Sequence, residues 1–192
     1  MEFTIFRTKE ADLISGCRRG DHHAQQQLFD LYSARMYGLS LRYIKDSMLA
    51  EDVVVMAFTK VFDRISQFKG EGSFEGWIRR ITVNEALTAL RKSRTMTVET
   101  DLELADHAPD YNQLSDHLEA ADLLRMIEQL PAGYRIVFNM YAIDGYSHKE
   151  IAECLGISEN TSKSQLSRAR AHLQKLLSDS DGRANKKCSN DE

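Results

Sequence analysis

Proline is nearly absent from this chain, with two residues in 192, and ten glycines supply most of the remaining punctuation. With so few breakers and no strand-like alternation bounded by hairpin turns, the pattern predicts an all-α protein. Cys17, Cys154 and Cys188 are widely spaced, odd in number and free of any C-x-x-C pair. Neither a disulfide framework nor a zinc site is indicated. No run approaches the ~18 consecutive apolar residues of a membrane span. The amino terminus, MEFTIFRTKEADL, carries acidic residues where a secretory signal carries basic and then apolar ones. The expected location is therefore cytoplasmic, without membrane insertion. A Gly-rich phosphate loop, H-E-x-x-H and G-x-S-x-G are missing as well, and the six histidines, the pair His22 and His23 included, are scattered without a convincing partner set. No enzyme is expected, and no cofactor or metal.

What is present is 42% hydrophobic content, enough to build one medium domain or two small ones. The net charge of −4 argues against a nucleic-acid binder, but its distribution is uneven. From Thr95 to Asp122 there are eight acidic residues and no Lys or Arg, whereas Arg64 to Arg94 carries seven basic residues against three acidic ones, and Glu159 to Lys175 four against one. Two basic blocks flank an acidic bridge. The stretch 95–116, which contains Pro109 and lacks a helical period, reads as an extended linker between a domain at 8–94 and another at 117–178. The tail 179–192 mixes charge signs without large apolar residues, so disorder is expected there.

Helices can be placed in order within each domain. Asp21 caps a helix to about Ile44, with Leu28, Leu31, Tyr32, Leu39 and Tyr43 at three-to-four spacing. Ser47 starts a second, striped by Ala50, Val53, Val54, Ala57, Phe58, Val61 and Ile65. After the break Lys69-Gly70-Glu71-Gly72, Ser73 precedes a third helix marked by Phe74, Trp77, Ile78, Ile81, Leu87 and Leu90. Beyond the linker, Leu118 to Leu130 forms a short amphipathic helix stopped by Pro131, and Tyr134 to Ile143 another, ended by Asp144-Gly145.

Ser147 to Leu177 carries the punctuation of a helix-turn-helix. Ser147 and Glu150 form a capping-box pair, Ile151, Ala152 and Leu155 supply a buried face, Gly156 suits a left-handed stop and Ser158 caps the next helix. In such a unit the second helix enters the major groove, which makes Glu159, Asn160, Thr161, Lys163, Ser164, Gln165 and Arg168 the reading set, with Leu166, Ala169 and Leu173 inward. A bare helical hairpin with a solvated basic face is the plainer alternative. In the first domain, Phe68 to Arg94 combines aromatics, a glycine loop, Asn84 and basic side chains, which suits single-stranded or melting DNA. Phe74, Trp77 and Ile81 at helical spacing read rather as core, leaving Asn84 as the base contact.

Three collinear blocks, AEDVVVMAFTKVF (Ala50 to Phe62), Phe68 to Asn84 and GYSHKEIAECLGISENTSKSQLSRAR (Gly145 to Arg170), resemble the extracytoplasmic-function sigma factors of the sigma-70 family. The resemblance implies a sigma region 2 bundle and a sigma region 4 helix-turn-helix. It implies docking on core RNA polymerase, on its clamp helices and flap, with Glu51, Asp52, Val55 and Phe58 in the docking block. It implies recognition of the minus-thirty-five duplex by the reading set above, and melting of the minus-ten element by Phe68, Lys69, Ser73, Arg79, Arg80, Asn84, Arg91 and Lys92. An anti-sigma factor is the further partner that it implies, for a chain monomeric when free. The acidic linker then either mimics a nucleic-acid strand in a polymerase channel or serves as a solvated tether. The chain departs from the family pattern at Val55 and Met56, where Gln and an acidic residue are common, at Asn160, where Gly is frequent, and at Thr88, a common acidic position.

An ordinary helix-turn-helix regulator is the rival reading. It would bind duplex operators as a symmetric dimer without polymerase.

Overall fold

The computed structural model describes residues 2–92 and 120–188, and all of the regular structure there is helical, without strands. Contacts divide the chain into two units, Met1–Thr95 and Met96–Glu192. The acidic stretch read as a linker, 95–116, lies outside the described residues.

The first unit contains α1 (Glu2–Arg18), α2 (His22–Tyr43), α3 (Ser47–Arg64), a 3-10 turn (Ile65–Gln67) and α4 (Phe74–Lys92). Short acidic side chains start two of the helices. Asp21 accepts from the His23 amide at 2.9 Å, and Asp46 accepts from the Leu49 amide at 3.0 Å, so each satisfies a donor with no partner within its own helix. Leu28, Tyr32, Met36, Phe58, Val61, Phe74 and Ile78 form one buried cluster. Each of these large apolar side chains contributes about 1.5–3 kcal/mol on leaving water. Leu31, expected in the stripe of α2, is exposed at its edge.

Helix α1 is absent from the sequence expectations, and the structure adds it to the bundle. Its Ile14 and Cys17 are buried in the cluster, and Gly16 lies so close to α2 that a Cβ there would sit 2.6 Å from that of Ala24. Burial, helped by Asp21, pushes the Cys17 thiol up, which leaves it an unreactive packing residue.

The second unit contains α5 (Ala120–Gln129), α6 (Ala132–Phe138), a wide π-type turn (Asn139–Ile143), α7 (His148–Leu155) and α8 (Glu159–Cys188). Ile127, Leu130, Ala169 and Leu173 form a core cluster, and Val137, Met140, Ile151 and Leu166 are also buried. The inward assignment of Leu166, Ala169 and Leu173 therefore holds. Arg135, almost fully buried, donates to the Leu130 carbonyl at 3.4 Å, and burial lowers its affinity for the proton. The backbone of α8 stays helical ten residues past Ser178, through the segment for which composition predicts disorder. Extending an already anchored helix needs only one residue fixed per added hydrogen bond, whereas an isolated helix must first be nucleated.

Candidate nucleic-acid interface

The helix-turn-helix is built by its caps. Ser147 Oγ accepts from the Glu150 amide at 3.2 Å, while the Glu150 carboxylate accepts from the Ser147 amide at 2.9 Å, closing the capping box at the start of α7. Gly156 ends that helix at φ 69°, the left-handed region that costs a side-chain-bearing residue most. Two residues later Ser158 Oγ accepts from the Thr161 amide at 3.0 Å and starts α8. The turn is therefore as short as the sequence reading required.

This geometry exposes Glu159, Asn160, Lys163 and Ser164 on the first turns of α8, with Thr161 and Arg168 half-buried beside them. Thr161 Oγ1 is tied to Ser158 Oγ at 2.8 Å, and Ser164 Oγ donates to the Thr161 carbonyl at 3.0 Å. Gln165 is a correction to the reading set. It is buried, with its side chain 3.7 Å from where a Cβ on Gly133 would stand, because it shares the inward stripe with Ser162, Leu166 and Ala169.

Sequence reasoning missed an aromatic group at the same place. The His148 ring stacks on Tyr141, with 4.5 Å between centroids and 22° between planes, and its Nδ1 lies 2.9 Å from Ser162 Oγ on α8. Arg170 lies 5.9 Å from the centre of the Tyr141 ring. No spacing rule links these residues, since the Gly145 turn, at φ 75°, is what brings Tyr141 back to α7.

In the first unit, α4 presents Arg80, Asn84 and Arg91 on one outward stripe, all exposed, with Arg79 half-buried at its side and exposed Lys92 further round the helix. Preceding this helix, Lys69 and Ser73 are exposed on the glycine loop, and Ser73 Oγ accepts from the Gly76 amide at 3.2 Å. Phe68 is corrected from contact residue to core: it is 8% exposed, packed 5.0 Å from Phe74 and 5.7 Å from Trp77 between ring centroids. Phe74 is buried and Trp77 packs against the same cluster, as their spacing predicts. A cleft of about 560 Å³ opens between Glu10, Ala11 and Ile14 of α1 and the loop residues Phe68, Gly70, Gly72 and Ser73.

The outer face of α3 is apolar and acidic together. Met48, Val55 and Met56 are 77%, 58% and 51% exposed, and Glu51 and Asp52 stand between them. Phe58 is the second aromatic correction, because at 2% exposure it belongs to the core, 4.8 Å from Phe29 between centroids. Between α3 and α4, Lys60 pairs with Glu85, whose side chain is 10% exposed, beneath a cleft of about 390 Å³ lined by Leu49, Asp52, Val53, Met56 and Lys92. Among the described residues no helix is long and apolar enough to cross a membrane.

Comparison with known proteins agrees with this geometry. The family profile described as Sigma-70 region 2 matches residues 28–95, and that described as Sigma-70, region 4 matches residues 120–173. RNA polymerase sigma-H factor of Pseudomonas aeruginosa is 30% identical over 185 residues, covering 88% of this chain and 95% of that protein. ECF RNA polymerase sigma factor SigW of Bacillus subtilis is 28% identical over 178 residues, covering 86% and 95%. Among solved structures, the sigma factor RpoE of Bartonella quintana, in complex with the anti-sigma factor NepR, has the same fold at TM-score 0.52 and 23% identity, covering 80% of this chain and 96% of that one. CnrH, in complex with the cytosolic domain of CnrY, aligns at TM-score 0.51 and 22% identity, covering 88% and 97%. With a helix-turn-helix in one unit, a region 2 bundle in the other and relatives matched along nearly their whole length, the chain belongs to the extracytoplasmic-function sigma factors of the sigma-70 family, the initiation subunits of RNA polymerase.

Proposed function

We propose that this chain docks on core RNA polymerase through the outer face of α3, reads the minus-thirty-five duplex with the start of α8, and holds the melted minus-ten strand along α4 and the glycine loop. The observation that carries the reading is the capped helix-turn-helix, which exposes Asn160, Lys163 and Ser164 where a major groove receives a second helix. Lys163 and Arg168 supply charge for phosphates, and Asn160 and Ser164 supply hydrogen bonds for base edges. On α4, Arg80 and Arg91 neutralise backbone on either side of Asn84, whose amide pairs with an unstacked base. Lys69 and Ser73 border the same strand from the loop, with Arg79 and Lys92 at the flanks.

Docking on the clamp helices is assigned to Glu51, Asp52 and Val55, joined by Met48 and Met56, since exposed apolar side chains among carboxylates suit a partner surface better than open water. In this scheme sigma region 4 also meets the polymerase flap. An anti-sigma factor covers the polymerase-facing surfaces when the chain is held inactive. The free chain is a cytoplasmic monomer that performs no chemistry, the polymerase supplying it. In vitro transcription from a genomic library with purified chain and core polymerase, followed by sequencing of transcript starts, tests the reading. Starts sharing two spaced elements are expected, and loss of initiation from every fragment would reject it.

A further inference from the structure

His148 joins three elements. It opens α7, stacks on Tyr141 of the wide turn and meets Ser162 of α8 through Nδ1. His148 is half-buried, and its contact partner Ser162 sits on α8 between Thr161 and Lys163 of the reading set. The charges that act on it come from α8: Lys163, Glu159 and Arg170. Burial, followed by Lys163, holds its pKa below the usual histidine value; Glu159 opposes the shift and Arg170 adds to it. Burial and Lys163 both favour the uncharged imidazole in the free chain.

We propose that His148 is a proton-linked phosphate contact, taking up one proton from solvent when a DNA duplex docks on α8 and gripping the backbone beside the reading residues. This rests on the assignment of α8 to duplex DNA. Phosphates arriving next to Lys163 and Arg170 offset the repulsion those cations exert on an imidazolium and add an attraction of their own. The contact with Ser162 survives the change, because a hydroxyl accepts from Nδ1–H as well as it donates to bare Nδ1. Tyr141 keeps a cation against its ring face. Nε2–H is left to donate to a phosphate oxygen, a charge-assisted hydrogen bond. By linkage, affinity for DNA rises as pH falls through the interval between the bound and free values of this one group.

Fluorescence anisotropy of the full chain on a random-sequence duplex, from about pH 5 to about pH 8 and at several salt concentrations, tests the proposal. A random sequence suffices because phosphate contacts carry no sequence information. Wild type should bind more tightly toward acid, by at most about tenfold per pH unit for one proton, with a salt slope steeper by about one. H148Q, which keeps a polar partner for Ser162 and never charges, should lose both effects, whereas R168A should bind more weakly and retain them. Nuclear magnetic resonance of wild type should show the His148 ring titrating at higher pH once duplex is added. Parallel pH profiles for wild type and H148Q, or a His148 titration unmoved by duplex, would overturn the proton link alone. No binding by wild type at any pH would overturn the duplex assignment of α8 as well.

Discussion

Arg18 on α1 donates to the backbone carbonyl of Phe68, and its Nε lies 3.5 Å from the carbonyl of Ile65. One guanidinium thus meets the carbonyl that opens the 3-10 turn and the one just after it, and holds the chain where the glycine loop begins. R18A should lower the stability of the first unit by about 1–2 kcal/mol and speed amide exchange across 68–73. Thermal melting and hydrogen exchange check both effects. R18K should restore only part, because an ammonium lacks the guanidinium fork.

Gly16 allows α1 to touch α2. G16A should destabilise the bundle by about 1–3 kcal/mol, since the new methyl meets Ala24 at 2.6 Å. Adding A24G should recover much of that loss. A double-mutant cycle read by denaturant unfolding isolates the contact, and simple additivity would show that the cost arises elsewhere.

Val55, at 58% exposure, makes no demand on the core. V55D should therefore leave folding stability within about 0.5 kcal/mol of wild type while abolishing capture of core polymerase. A matched pair of melting and pull-down measurements checks this, and unimpaired capture would move the docking surface away from α3.

Asn84 and Arg168 should separate two steps of initiation. N84A should impair open-complex formation more than initial duplex binding, because a base pocket matters only once strands part. R168A should weaken duplex binding, with the salt slope flatter by about one unit if its partner is a phosphate. Permanganate footprinting reads the first, and salt-dependent anisotropy the second.

The helix-turn-helix was legible because its caps are local. Ser147, Glu150, Gly156 and Ser158 act on backbone within four positions of themselves, so their roles follow from spacing alone. Phe58 and Phe68 were not legible in that way. Membership in a functional block does not say which way a side chain points, and both rings settle into the aromatic core. Gln165 was recoverable, since the stripe Ser162, Leu166, Ala169 and Leu173 already carries it inward. Helix α1 escaped notice because its described buried residues, Ile14 and Cys17, fill a single turn, and Gly16 between them reads as a break rather than as a close approach. His148 and Tyr141 meet only through tertiary folding, so neither composition nor period could pair them.

In the wide turn Asn139–Ile143 the Asp144 amide reaches back five positions, to the Asn139 carbonyl at 2.9 Å. That winding accommodates one more residue than an ordinary α-turn does. Deleting a single residue there would let the coil close normally and swing everything downstream by about 100° around the axis. The helix-turn-helix is thus phased by one surplus peptide unit, and a shortened relative would aim the first turns of α8 in a different direction.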